Sequence, residues 1–230
     1  MSDMTKLDTL AWPRIEADLD AYGSAATGPL LDPDQCAALI ALYDEPAAFR
    51  SRVVMARHGF GRGEYQYFAN PLPPLVATLR AGFWPRLVGI ANRWTGGNYP
   101  ASHAEYLARC HAAGQEKPTP LLLRYGPGDY NCLHQDLYGA EVFPLQVAIL
   151  LSAPEAEFGG GAFVLTEQRP RMQSRAEVVP LAQGEAVIFA VADRPVQGTR
   201  GTYRVKMRHG VSRVTWGARH TLGVIFHDAG

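Results

Sequence analysis

Residues 121–139 read LLLRYGPGDYNCLHQDLYG. A short apolar run, LLLRY, stops at Gly126-Pro127-Gly128, and a second short run then carries the chain to His134-Gln135-Asp136. Gly-Pro-Gly punctuates as a turn, and neither run is long enough for a helix, so this stretch predicts strand, turn, strand. Outward from it the same grain continues. PLQVAILL, GAFVL, AEVVPL, EAVIFAV, TYRVKM and HTLGVIF are runs of apolar residues divided by Gly, Pro and Asp. Seven or eight short strands with no helix between them imply an antiparallel sandwich or barrel over residues 118–230.

Upstream of EKPTP the pattern lengthens. Asp32 before Pro33 predicts an N-cap and a helix over about 33–43, with Cys36, Leu39, Ile40 and Tyr43 at helical spacing. Pro73-Pro74 opens a second helix through LVATLRAGFWPRLVGIANRW, kinked or split at Pro85 and ended at Gly96-Gly97. Ser102 and Glu105 stand at capping-box spacing before ARCHAAG, with Gly114 as the stop. The expected organisation is a single α+β domain over 1–230. Residues 1–117 are mainly helical support, packed on the outside of one sheet, and 118–230 form the catalytic core.

Composition narrows the class. The 230 residues carry 22 Lys+Arg against 22 Asp+Glu, and 47% are apolar. That supplies a core and excludes global disorder. No apolar stretch reaches membrane-spanning length and the acidic N-terminus does not resemble a secretory signal, so a cytoplasmic protein without membrane association is expected. Cys36, Cys110 and Cys132 share no CxxC spacing, which argues against a disulfide framework or a thiolate zinc site.

Strand alternation puts His134 and Asp136 on one face. One imidazole and one carboxylate that close can take two adjacent positions on a divalent metal, and a second histidine completes a facial triad with three positions free. That arrangement suits non-haem Fe(II) oxygen chemistry, in which a chelating cosubstrate takes two positions and O2 the last. The third ligand has to be followed by a cation that holds the cosubstrate's far carboxylate. Of His209, His220 and His227, only His209 has one: Arg219 follows ten residues later, after a turn read at Trp216-Gly217. Thr221 shares Arg219's strand face and offers a hydroxyl, and guanidinium pairs with carboxylate in a bidentate manner that lysine cannot match.

These residues resemble the 2-oxoglutarate/Fe(II)-dependent dioxygenases, in the branch containing the prolyl 4-hydroxylase-like catalytic domains. The resemblance runs from about 120 to 228. It rests on Tyr125, Gly126 and Gly128, on His134 and Asp136, on Phe158-Gly159-Gly160-Gly161, on Pro180 to Phe189, and on His209 with Arg219. Ala162 stands where that pattern often has an acid, and RPVQGTRGTYRVKMR is a longer link than usual, read as an elaborating loop. More narrowly, YNCLHQDLYG, EQRPRMQSR and MRHGVSRV resemble a bacterial group described as acting on damaged nucleic acid.

The resemblance implies a double-stranded β-helix, or jelly roll. It also implies Fe(II) on His134, Asp136 and His209, with 2-oxoglutarate oriented by Arg219, and O2. The chemistry implied is hydroxylation of an unactivated C–H bond with release of succinate and CO2, and oxidative demethylation of damaged DNA as repair. No ascorbate requirement and no obligate protein partner is deducible.

Tyr125 and Asn131 are candidate cosubstrate contacts, though both also suit ordinary strand and turn duties. Cys132 is read as packing, and His58, His103, His111, His220 and His227 as carrying no chemistry. Arg194, Arg200, Arg204, Lys206, Arg208, Arg213 and Arg219 form a run without acids, preceded by Arg169, Arg171 and Arg175. They either gather into a phosphate-binding rim for single-stranded or damaged nucleic acid, with Arg204 and Arg208 foremost, or scatter over two strand faces. FGRGEYQYF, with Arg62 and Tyr65, is a candidate substrate lid that stacks a base, or an anchor between helices and barrel. A protein or amino-acid hydroxylase with the same iron site, and a non-enzymatic cupin-like binding barrel, are the rival functions. Substrate turnover separates the first and 2-oxoglutarate affinity the second.

Overall fold

The computed structural model describes residues 3–230, with side chains from Lys6 onward. The helices are α1 (Asp3–Thr9), α2 (Trp12–Tyr22), α3 (Pro33–Ala41), α4 (Pro74–Thr95) and α5 (His103–Ala112). Strands β1 (Ser24–Pro29), β2 (Phe49–Val54), β3 (Gly61–Arg62) and β4 (Glu64–Phe68) lie among them. Then follow β5 (Leu121–Tyr125), β6 (Tyr130–His134), β7 (Leu145–Leu150), β8 (Phe158–Gly160), β9 (Phe163–Gln168) and β10 (Arg175–Val179). The chain finishes with β11 (Glu185–Ala190), β12 (Asp193–Gly198), β13 (Gly201–Val211), β14 (Val214–Gly217) and β15 (Arg219–Val224).

One sheet has the order β1-β11-β7-β15-β5-β4-β2, and the second runs β10-β9-β13-β6-β3 with β12 added to β13. From β5 onward the chain passes back and forth between them: β5, β7, β11 and β15 in the first, β6, β9, β10 and β13 in the second. Antiparallel strands alternating between two facing sheets make the expected double-stranded β-helix.

Side-chain alternation explains the layering. On β7 and β11, Val147, Ile149, Ala186 and Ile188 join Leu19, Leu39, Leu79, Phe83 and Leu87 of the helices in one core. The intervening Ala148, Val187 and Phe189 face inward against Phe163 and Leu165 of the second sheet. Both faces of the first sheet are buried, which is why β7 and β11 read as continuous apolar runs. Each of the buried Val, Leu, Ile and Phe side chains contributes roughly 1.5–3 kcal/mol, so the helices are a permanent cover on the outer face of the first sheet.

Several local expectations change. Residues 1–117 contribute four strands besides their helices: β1 pairs with β11, β4 with β5, and β3 with β6. Pro85 sits inside one continuous α4. Asp32 caps α3 as expected, in a reciprocal capping box with Gln35, whereas Ser102 makes no side-chain cap to α5. The stretch around 193–206 is a hairpin, β12 on β13, rather than a loop. Trp216-Gly217 is no hairpin turn either. Residues 214–217 form β14, paired with β8, and Gly217 at φ 75° turns the chain into the other sheet. A Cβ there would lie 2.0 Å from the Glu157 carbonyl oxygen, so only glycine fits that corner.

Candidate metal and cosubstrate site

β6 and β13 are antiparallel neighbours, with His134 and His209 directly paired across them. Asp136 lies two residues past the end of β6, off the strand, and still turns into the same space. His134 Nε2 is 3.4 Å from Asp136 Oδ1 and His209 Nε2 is 3.3 Å from Asp136 Oδ2. The ligating atoms of all three lie within 4.8 Å of one another, a two-nitrogen, one-oxygen donor set able to hold a divalent metal.

Supporting contacts orient these donors. His134 Nδ1 donates to the Cys132 carbonyl at 2.7 Å, which leaves Nε2 as the free lone pair. The Tyr138 hydroxyl donates to Asp136 Oδ1 at 2.7 Å. Phe189 packs on the His209 ring with centroids 4.6 Å apart, and Phe163 at 6.1 Å. Burial would raise the Asp136 carboxyl, but hydrogen bonds from His134 and His209 outweigh it and hold the group well below the usual carboxylate range. For His134, burial is outweighed by Asp136 and the pKa rises, whereas burial dominates for His209 and lowers it. A metal ion would replace the protons these groups share.

The other sheet supplies a cation. Arg219 opens β15 opposite Tyr125 on β5. Its side chain is 2% exposed, and its one hydrogen bond among the described residues goes to the Thr221 hydroxyl at 2.6 Å. Burial pushes the guanidinium down to about 10, which still leaves it charged at neutral pH. The Tyr125 ring lies 5.6 Å from the guanidinium carbon, and its hydroxyl has no hydrogen-bond partner among the described residues.

A cavity of about 320 Å³ joins the two halves of the site, lined by His134, Asp136, His209, Arg219, Thr221, Tyr125, Asn131 and Tyr65. Gln146 Oε1, His209 Nδ1, Arg219 Nε and the Tyr125 hydroxyl are buried in its wall without hydrogen-bond partners among the described residues. Buried polar groups are normally satisfied. Two of these, the Arg219 N–H and the Tyr125 O–H, are donors, and with a metal-binding triad at hand they fit an anionic ligand that chelates a metal.

A family of oxygenases described as catalysing oxidative methylation of damaged DNA has a sequence model that matches residues 63–229. This chain belongs to that oxygenase family. An uncharacterized protein of Mycobacterium tuberculosis is 47% identical over 167 residues, covering 70% of this chain and 72% of the relative. In fold, the oxygenase is similar to a prolyl-4-hydroxylase of Pseudomonas putida, with a TM-score of 0.59 and 16% identity over 95% of this chain and 100% of that one. It is also similar to a 2OG-Fe(II) oxygenase of Burkholderia pseudomallei, with a TM-score of 0.57 and 15% identity over 96% and 93%. The double-stranded β-helix of the 2-oxoglutarate oxygenases is thus the fold of this chain.

Three residues expected at the substrate do not reach the cavity. Arg204 and Arg208 are exposed on β13, out of phase with the buried Val205, Met207 and His209, so they point away from the site. Arg204 instead donates to the Trp94 carbonyl at the end of α4, at 3.1 Å. Arg62 is a surface side chain, 3.7 Å from Asp129.

The basic run scatters rather than forming one rim. Arg194 is buried against Glu167, which Arg169 and Arg175 also reach, and Lys206 meets Asp193. Parity along β13 already carries this result in the sequence, since Arg208 next to His209 has to face the opposite way. Sequence reasoning misses Tyr138 and Gln146, whose roles depend on the fold bringing them to the triad and the cavity wall.

Among the described residues no helix is long and apolar enough to cross a membrane.

Proposed function

We propose that this oxygenase is Fe(II)- and 2-oxoglutarate-dependent and removes methyl groups from damaged bases in accessible, single-stranded or extruded nucleic acid. The observation that carries the reading is one cavity holding both the His134–Asp136–His209 donor cluster and a buried cation, Arg219, with no carboxylate partner among the described residues.

Fe(II) with 2-oxoglutarate and O2 supplies the oxidising power, by which R–H becomes R–OH while the keto acid becomes succinate and CO2. The chain's residues hold and orient. His134, Asp136 and His209 are the ligands, with His134 kept in one tautomer by the Cys132 carbonyl and Asp136 kept in one rotamer by Tyr138. Arg219, Thr221 and the Tyr125 hydroxyl receive the far carboxylate of the cosubstrate, and Asn131 adds an amide to the same wall. Phe163 and Phe189 exclude water from the His209 side.

A cavity of about 320 Å³ lies near the lower end of the range for small-molecule sites, roughly 300–1,000 Å³. It has room for the cosubstrate and one base-sized group, not for a duplex, so the target base enters from a single strand or out of the stack. Hydroxylation of an N-methyl carbon gives N–CH2OH, which breaks its N–C bond to release formaldehyde and restore N–H. A cytoplasmic setting, with nucleic acid as the partner, suits this chemistry.

The test is turnover with a methylated single-stranded oligonucleotide, Fe(II) and 2-oxoglutarate, assaying formaldehyde and succinate together. Equal amounts of both, lost in Asp136→Ala, are expected. Succinate formed with peptide substrates while no methylated oligonucleotide yields formaldehyde would replace this reading with a protein hydroxylase.

A further inference from the structure

The segment Met55–Arg62, MARHGFGR, joins β2 to β3 and contains no acid. Its residues Gly59 and Phe60 line the cavity beside Cys132, Leu133 and His134. Phe60 is 48% exposed and belongs to none of the hydrophobic clusters among the described residues. The exposed His58 ring lies on it, with centroids 5.3 Å apart and planes 22° from parallel.

The backbone fixes this pair in place. Phe60 N donates to the Met55 carbonyl at 3.2 Å, Cys132 N donates to the Phe60 carbonyl at 2.9 Å, and Met55 N donates to the Gly63 carbonyl at 3.0 Å. Gly61, at φ 125°, lies so close to β6 that a Cβ would sit 2.4 Å from the Tyr130 carbonyl oxygen. An exposed aromatic stack on a pinned loop at the mouth of a catalytic cavity contributes little to the core, and its ordering cost is met before any ligand arrives.

The flanking charges define the ligand. Arg57 is exposed and makes no ion pair among the described residues, and Arg62, with 62% of its side chain exposed, has only the 3.7 Å approach to Asp129. Two aromatic faces flanked in sequence by the unpaired Arg57 and by Arg62, whose exposed pair with Asp129 is long at 3.7 Å, match a base with neighbouring phosphates. Arg204 and Arg208 lie on the wrong face of β13 for this task.

We propose that residues 55–62 are the nucleic-acid contact of this enzyme: the His58–Phe60 pair stacks a base next to the one in the cavity, and Arg57 and Arg62 take its phosphates. This rests on the nucleic-acid reading above.

The test is binding of a short single-stranded DNA carrying 2-aminopurine to the Fe(II)-loaded protein held without O2. The readouts are affinity, quenching of the 2-aminopurine, and the slope of affinity against salt. Phe60→Ala weakens binding about 5- to 100-fold and abolishes the quench, Phe60→Trp retains both, and His58→Ala loses less. Arg57→Ala and Arg62→Ala each lower the salt slope by about one. Arg204→Glu and Arg208→Glu leave affinity unchanged. Thermal melting and 2-oxoglutarate binding at wild-type levels identify folded variants.

Wild-type affinity and quench in a folded Phe60→Ala, or loss of binding in the Arg204 and Arg208 variants instead, would overturn this assignment and leave the nucleic-acid reading standing. Wild-type protein that binds no single-stranded nucleic acid would overturn both.

Discussion

Arg194 and Arg219 belong to the same basic stretch of sequence and are buried alike, at 1% and 2% exposure. Their surroundings differ. Arg194 donates to the Asp20 and Ala21 carbonyls at the end of α2, at 3.0 and 3.1 Å, and pairs with Glu167. It ties a helix to β12 and β9. Arg219 has the Thr221 hydroxyl and the faces of Tyr125 and Phe158, and no carboxylate among the described residues. Burying a cation costs several kcal/mol unless it is paired. A chain that retains one unpaired, at the end of a cavity opposite a metal-donor triad, keeps it for an anion that arrives with the ligand. Equal burial therefore says little, and the partner list separates a structural arginine from a functional one.

Exchanging each arginine for leucine tests the contrast from both sides. Arg219→Leu is expected to weaken 2-oxoglutarate binding by about 100-fold or more without lowering the melting temperature, because an uncompensated charge leaves the interior. Arg194→Leu should do the reverse, costing ~3–5 kcal/mol in urea unfolding with 2-oxoglutarate affinity at the wild-type level. Two variants that behaved alike in both assays would erase the distinction.

A smaller effect is expected from Tyr138→Phe, which removes the hydroxyl holding Asp136. Metal affinity, followed by competition with a chelating dye, should fall about 10-fold while unfolding stability stays close to wild type.

The smallest effect concerns pH. His103 and His227 are pushed down to about 4, first by burial and then by the charge of Arg80. Below about pH 6.5 the unfolded chain takes up protons that the folded chain refuses, so stability should decline as pH falls from there towards 4. Urea midpoints measured across that window check the sign.

Local patterns made the metal centre legible. His134, Asp136 and His209 are set by a strand end and a cross-strand pair, and Arg219 by its place after His209. The helical cover and the short strands of the second half were readable from periodicity for the same reason.

The strands of the first half were not. SAATGP and FRSRVV have neither alternation nor length, and they are strands because β11 and β4 offer them edges, a non-local cause. Tyr138 and Gln146 reach the site through loop and sheet geometry that no spacing encodes. Arg204 and Arg208 fall on the face of β13 opposite His209, because strand parity, not charge, decides where they point. Arg62 lies outside the cavity and His58 shows no spacing signal, and both gain meaning only once the His58 ring lies on Phe60 at the cavity mouth.

The account turns on one cavity holding both metal and keto acid. An anaerobic titration of the apo-protein with Fe(II) and 2-oxoglutarate, monitored for the visible charge-transfer absorption of the chelate, tests it most directly, with His209→Ala and Arg219→Leu alongside. The account predicts a band in wild type, none in His209→Ala, and in Arg219→Leu the same band at much higher 2-oxoglutarate concentration. Metal-loaded wild-type protein without a band, or a band indifferent to Arg219, would contradict it.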